Sequence, residues 1–221
     1  MLITEGVYAY IWRSVFENNC NMYYFGEPLN ILFDIGLRNY IDVRFEDLKK
    51  DGLNPDNIEY IVNTHSHPDH SDGSFLFMEK NIPVAMHKDE IEFVRNTGPA
   101  FFEMMGMQMP LLNFKKVFGE GKWEVGNTEL EIIHTPGHSP GSISVYWPEK
   151  KTLVCGDLIF ERSVGRTDFP GGNTDLLKKS ISELAELEID ILLPGHMGFI
   201  KGRDEVKRNF DFIISQYFPI L

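Results

Sequence analysis

The sequence predicts an α/β layered domain with two β-sheets covered by helices. Three observations carry that expectation. Short apolar strands are followed by amphipathic helices, and this order occurs twice along the chain. The chain has 221 residues, 43% hydrophobic and 24% charged, which is ordinary globular composition and excludes disorder as its main description. A chain of this length can bury roughly 70% of its unfolded surface. No repeat of fixed period and no low-complexity tract divides it, so residues 1–221 are read as one domain.

The elements come in order. Ile3 to Tyr10, Asn21 to Phe25 and Asn30 to Ile35 are β-branched or aromatic runs, the last two joined as a hairpin by Gly26-Glu27-Pro28. Val43 to Lys50 sets Val43 and Leu48 against a charged face at helical spacing, and Gly52 and Pro55 stop it. Ile58 to Asn63 reads as a buried strand. A helix over Asp72 to Lys80, capped by Ser71 or Asp72, leads to a strand over Pro83 to His87 and a helix over Lys88 to Arg95. Two hairpins come next. Trp123 to Val125 pairs with Glu129 to His134 around Gly126-Asn127, and Ser142 to Trp147 pairs with Thr152 to Cys155 through Pro148-Glu149-Lys150. Asp175 to Leu187 is the clearest helix. Its stripe is Leu176, Leu177, Ile181, Leu184 and Leu187, and Thr174 is its expected cap. Ile189 to Leu193 is a last strand, and Glu205 to Phe218 a last amphipathic helix.

Residues 97–119 stand apart. Gly98-Pro99 opens the segment, Pro110 interrupts it, and Phe101, Phe102, Met104, Met105, Met107 and Met109 crowd together. Core packing or a dimer contact is the preferred reading, ahead of a mobile apolar wall over an active site. The formal net charge of −12 argues against a nucleic-acid backbone or an anionic membrane as partner. Cys20 and Cys155 read as reduced core residues, and the expected compartment is the cytoplasm. The start of the chain lacks a basic segment followed by an apolar run, so no signal peptide is expected. No apolar stretch is long enough to span a bilayer.

The chemistry concentrates in Thr64-His65-Ser66-His67-Pro68-Asp69-His70, directly after a buried strand. In extended backbone, residues two apart point the same way, so His65 and His67 project together. Pro68 keeps His67 extended, and the chain then turns so that Asp69 and His70 face a neighbouring point. Three imidazoles and a carboxylate within six residues suit zinc or iron better than they suit a solvated polar loop. Three more apolar strands end in Gly-containing turns. They lead to His134-Thr135-Pro136-Gly137-His138, to Gly156-Asp157 and to Pro194-Gly195-His196. Each is weak alone, but in layered α/β folds such strand ends converge. His87 and His134 are read as structural or supporting.

The order His65-x-His67-x-Asp69-His70, then His138, Asp157 and His196, resembles the metallo-β-lactamase superfamily. Asp34-Ile35-Gly36 is similar to that family's early Asp-x-Gly strand end. The resemblance implies a four-layer αββα sandwich of two mixed sheets flanked by helices. It implies that His65, His67 and His138 hold one metal, that Asp69, His70 and His196 hold a second, and that Asp157 bridges. It implies two divalent ions, zinc first, with iron or manganese as alternatives. His67, where other branches carry Glu or Asp, is similar to the zinc-hydrolase branch. A narrower resemblance, to the glyoxalase II-like (hydroxyacylglutathione hydrolase) group and its short members without a glutathione-binding helical domain, rests on further segments. These are Gly156-Asp157-Leu158-Ile159-Phe160, Ser163 to Asn173 and Glu205 to Asn209. The chain departs from that group after His196, with Met197-Gly198-Phe199-Ile200. Arg166, Phe160 and Met197 are the substrate-contact candidates, and Arg166 also reads as a partner of Asp168 that pins the loop.

The activity that the resemblance implies is that of a thioesterase. A metal-bridging hydroxide, held by Asp69 as the catalytic carboxylate, attacks the acyl carbonyl, and a thiolate leaves. The expected partner is a small-molecule thioester of the S-acyl glutathione type or a related acyl substrate. No nucleic acid or membrane is expected, and a homodimer is left open. The alternatives are a mononuclear iron persulfide dioxygenase, which resembles the same branch, and then a lactonase. A nucleic-acid processing enzyme would carry more basic surface, and a scaffold would have lost ligands.

Overall fold

Gly6, at φ 74°, breaks the first apolar run into two strands. The computed structural model describes residues 1–221 except 15, 79, 81, 105 and 110. Among the described residues the chain forms two compact units, Met1–Phe118 and Gly119–Leu221.

The first unit holds a mixed seven-stranded sheet in sequence order. Its strands are β1 (Leu2–Thr4), β2 (Val7–Tyr10), β3 (Met22–Phe25), β4 (Ile31–Phe33), β5 (Tyr60–Val62), β6 (Val84–His87) and β7 (Lys116–Phe118). β1 to β4 pair antiparallel, and β4 to β7 pair parallel. Parallel neighbours need crossovers, and each crossover here carries a helix: α1 (Ile41–Lys50), α2 (Pro68–Phe75) and α3 (Lys88–Met104). Continuous apolar runs such as Ile31–Phe33 suit strands covered on both faces, and β4 and β6 are buried throughout. Leu32, Ile61, Val84, Met86, Phe75 and Phe102 form one core with the aromatic and methionine side chains around them.

Two expectations in this unit need correction. The helix placed over Asp72 to Lys80 runs instead over Pro68–Phe75. Proline's fixed φ suits the first helical position, so Pro68 starts the helix inside the histidine motif. Asp69 and His70 therefore lie in the first turn of α2, not in a turn before it. Glu79, within the expected span, lies outside the described residues. The helix expected to stop at Arg95 continues through Gly98-Pro99 to Met104. An interior proline costs about 3 kcal/mol. Burying Phe101 and Phe102 on the face begun by Ile91 and Val94 offsets it, at about 1.5–3 kcal/mol for each side chain. Met107 and Met109 pack against the core of this unit, as the packing reading expects, whereas Met104 is exposed; Met105 and Pro110 lie outside the described residues.

The second unit holds a mixed six-stranded sheet. Its strands are β8 (Gly121–Val125), β9 (Thr128–His134), β10 (Ile143–Trp147), β11 (Thr152–Gly156), β14 (Ile191–Pro194) and β15 (Ile200–Lys201). The order is β15-β14-β11-β10-β9-β8, with only the β11–β14 pair parallel. β12 (Ile159–Phe160) and β13 (Ser163–Val164) make a separate ribbon. Helix α4 (Thr174–Leu184) is capped by Asn173, whose side chain accepts from the Leu176 amide at 3.0 Å, and not by Thr174. Thr174 is instead hydrogen-bonded to Thr167 at 2.8 Å. Leu177, Ile181 and Leu184 are buried, whereas Leu176 is exposed. The last helix splits into α5 (Arg203–Phe212) and a π turn over Ile213–Tyr217.

Cys20 and Cys155 are both free and buried. Burial pushes the Cys20 thiol up to about 12. Because the thiolate is the nucleophile, iodoacetamide at pH 8 is expected to leave Cys20 unmodified in the folded protein and to alkylate it after denaturation. Intact and peptide mass spectrometry reads the result. Among the described residues no helix is long and apolar enough to cross a membrane.

Candidate metal centre

In the first unit β4, β5 and β6 run parallel, so the segments that follow them emerge at one edge of the sheet. Asp34 follows β4, the motif from Asn63 to His70 follows β5, and His87 ends β6. Asp34 organises the histidines. Its Oδ1 accepts from the Thr64 amide at 2.8 Å. Its Oδ2 accepts from the Thr64 hydroxyl at 2.7 Å and lies 2.9 Å from His70 Nδ1. A carboxylate only accepts, so His70 carries its proton on Nδ1 and presents the lone pair of Nε2. The Thr64 hydroxyl, having donated to Asp34, accepts from His65 Nδ1 at 3.1 Å. That leaves His65 Nε2 deprotonated, 3.1 Å from His67 Nδ1. Asp69 Oδ2 accepts from Asn18 Nδ2 at 2.9 Å and lies 3.9 Å from His70 Nε2. Asn63 ties the motif together by donating to the His70 carbonyl at 3.1 Å and to Ser74 Oγ at 3.0 Å. His65, His67, Asp69 and His70 are all buried.

In the second unit β9, β11 and β14 point the same way, because β10 lies antiparallel between β9 and β11 while β14 is parallel to β11. Their ends lead to His138, Asp157 and His196. Asp157 Oδ2 lies 3.6 Å from His138 Nε2 and 3.3 Å from His196 Nε2. His138 Nδ1 donates to the Arg166 carbonyl at 2.7 Å, which again leaves Nε2 free of its proton.

Both sets fit metal ligation by their donor chemistry. Bonds of 2.0–2.1 Å in a tetrahedral ion space its ligand atoms by roughly 3.3 Å. The spacings of 3.1 Å between His65 and His67 and of 3.3 Å between Asp157 and His196 match such edges. The residues able to hold a metal ion include all seven predicted ligands, His65, His67, Asp69, His70, His138, Asp157 and His196.

The remaining candidates separate. Arg166 forks onto Asp168, Nε to Oδ1 at 2.8 Å and Nη2 to Oδ2 at 2.6 Å, and covers the Phe169 ring at 4.1 Å. That pair agrees with the pinning reading. Phe160 meets the His196 ring edge-on at 6.0 Å, and Met197, next in the chain, is 53% exposed at φ 65°. His134 Nε2 bonds the Pro140 carbonyl at 2.8 Å, and His87 Nδ1 accepts from the Asp89 amide at 3.3 Å.

Sequence reasoning missed Asn18, Asn63, Glu90 and the Arg166 carbonyl, and gave Asp34 no role. Only Asp34 had a signal, the similarity of Asp34-Ile35-Gly36 to the early Asp-x-Gly strand end. Gly165 lies in the Ser163 to Asn173 segment that carries the narrower resemblance, but its packing against the site had no sequence signal. A Cβ on it would stand 1.7 Å from the Asp157 carbonyl oxygen and 3.2 Å from His138 Nδ1. Gly165→Ala must therefore displace the loop beyond Asp157, and overpacking of this kind costs about 1–3 kcal/mol. The variant is expected to melt lower and to lose metal, as read by thermal denaturation and elemental analysis.

The family described as "Metallo-beta-lactamase superfamily" matches residues 15–196. "Probable metallo-hydrolase MJ0888" of Methanocaldococcus jannaschii is 34% identical over 173 residues, 76% of this chain and 82% of that protein. "Hydroxyacylglutathione hydrolase GloC" of Haemophilus influenzae is 27% identical over 215 residues, 92% of this chain and 96% of that one. The crystal structure of metallo-beta-lactamase family protein TTHA1429 from Thermus thermophilus superposes with a TM-score of 0.79 at 21% identity. The match covers 98% of this chain and 80% of that one.

Proposed function

The chain belongs to the metallo-β-lactamase superfamily, with its fold of two mixed sheets and flanking helices, and on that premise we propose that it hydrolyses a small-molecule thioester of the S-acyl glutathione type at a centre of two divalent metal ions. Metal-dependent hydrolysis is the coarse reading, supported by the similarity to MJ0888 and by the His/Asp ligand groups. The observation that carries the finer reading is similarity to GloC across nearly the full length of both chains.

In this proposal His65, His67 and His138 would hold one ion, Asp69, His70 and His196 the other, with Asp157 a further ligand. Zinc is the first choice for imidazole and carboxylate ligands, with iron or manganese as alternatives. Bound metal supplies Lewis acidity, lowering the pKa of a coordinated water towards about 7. The chain's own residues do the rest. The Asp34–Thr64 relay and the Arg166 carbonyl keep protons on the Nδ1 atoms of His65, His70 and His138, so each presents Nε2. Asn18 donates to one oxygen of Asp69 and restrains its carboxylate, the group that would accept a hydrogen bond from the nucleophile. Phe160, itself buried, packs edge-on against the His196 ring, and the exposed Met197 next to it offers apolar surface to an acyl group.

The test is elemental analysis of protein purified without added metal, read beside hydrolysis of S-lactoylglutathione. Two ions per chain together with thioester hydrolysis are expected. Loaded protein with no thioester hydrolysis overturns the substrate. Oxygen uptake on glutathione persulfide, with iron in the protein, would replace the hydrolase reading by the dioxygenase one.

A further inference from the structure

Ser66 separates the two imidazoles of His65 and His67, and a distant helix holds it. Glu90, in the first turn of α3, is fully buried, and its Oε1 accepts from the Ser66 amide at 2.8 Å and from the Ser66 hydroxyl at 2.6 Å. Both donors converge on one carboxylate oxygen, so the peptide between the two histidines has little freedom to turn. Phe101 lies eleven residues further along the same helix, three turns on and therefore on the same face. Its ring stacks on His67 with centroids 4.8 Å apart and planes 9° from parallel. One helix thus grips the motif twice, once at the backbone before His67 and once at the ring face. The continuation of α3 through Pro99 is what brings Phe101 there.

We propose that α3 is a positioning arm for His67, with Glu90 and Phe101 as positioning residues that aim His67 Nδ1 and thereby set the affinity for the ion it ligates. The proposal rests on the reading of His67 as a metal ligand. Two free torsions decide where the nitrogen of an imidazole points. The Glu90 contact restrains the backbone from which the ring departs, and the Phe101 stack restrains its plane. Groups that orient a ligand without touching the metal commonly govern 10–100-fold in metal affinity. Neither partner is recognisable from the motif, because Glu90 lies 24 residues from Ser66 and Phe101 lies 34 from His67.

Cobalt(II) titrated into the metal-stripped full chain tests the arm, with affinity read by chelator competition and ligand geometry by the visible absorption spectrum. Glu90→Gln and Phe101→Leu are each expected to weaken the affinity by about tenfold and to alter the cobalt spectrum. Glu90→Ala is expected to weaken it further than Glu90→Gln, since glutamine retains an oxygen for the Ser66 donors. Ser66→Ala removes a single donor with little change of volume, and it is expected to produce a smaller shift of the same kind even if the Glu90 variants do not fold. Wild-type affinity and spectrum in Glu90→Gln, Phe101→Leu and Ser66→Ala, with cobalt lost in His67→Ala, overturns the arm and leaves the ligand reading standing. Wild-type cobalt binding in His67→Ala overturns the ligand reading itself.

Discussion

Asp157→Ala is expected to lose metal and hydrolytic activity together. The carboxylate lies between two imidazole nitrogens, 3.6 Å from His138 Nε2 and 3.3 Å from His196 Nε2, and its side chain is only 10% exposed. Removing it takes away the one carboxylate placed beside both His138 and His196, which the proposal assigns to different ions. Orienting partners alone are worth 10–100-fold in affinity or activity, so losing a direct ligand should cost more than about 100-fold. Elemental analysis and a thioester assay on the same preparation check it. Full metal content in the variant would remove Asp157 from the ligand set. Full activity without metal would remove the metal from the reaction.

Asp34→Ala is expected to be the most destabilising change at the edge of the first sheet. Three donors depend on this carboxylate: the Thr64 amide, the Thr64 hydroxyl and His70 Nδ1. All three are buried, with His70 fully so. Each buried donor left without an acceptor costs about 1–3 kcal/mol, so a loss of about 3 kcal/mol or more is expected. For a chain of this size that lowers the melting temperature by about 6–12 °C. The damage is not confined to stability. Without the carboxylate, nothing selects the Nδ1–H tautomer of His70, and the Thr64 relay no longer orders His65. Metal affinity should fall along with the melting temperature. Asp34→Asn should retain part of both, because it keeps one acceptor oxygen and tolerates the left-handed backbone at φ 50°. Thermal denaturation of metal-stripped protein separates the stability effect from the metal effect. An unchanged melting temperature in Asp34→Ala would contradict the hub.

Much of this was legible in the sequence because it was written locally. The strands that precede the ligands are short apolar runs bounded by turn residues, and the ligands follow them directly. Three histidines and an aspartate within six residues leave few other readings. What escaped notice acts over distance or through the backbone. Glu90 and Asn18 are single polar residues in a chain with 33 carboxylates, and only the fold brings them to Ser66 and Asp69. The Arg166 carbonyl has no side-chain signature at all, since any residue offers one. Helix boundaries failed where tertiary packing outweighed a local signal. Pro99 reads as a stop, yet α3 passes through it to bury Phe101 and Phe102. Pro68 reads as a brace for His67, yet it also opens α2.

The sheet edges bear on handling the protein in solution. An exposed strand edge is a template for pairing with another chain, and natural proteins counter it with short or charged edges. The outer strands of the first sheet, β1 and β7, have three residues each, and β7 begins with Lys116. In the second sheet β15 has two residues and ends with Lys201, while the longer β8 carries Lys122 and Glu124 on exposed positions. The long apolar strands, β10 and β11, lie in the interior of their sheet with neighbours on both sides. The chain therefore keeps its stickiest segments away from intermolecular pairing and should resist fibril formation at high concentration for as long as each unit stays folded.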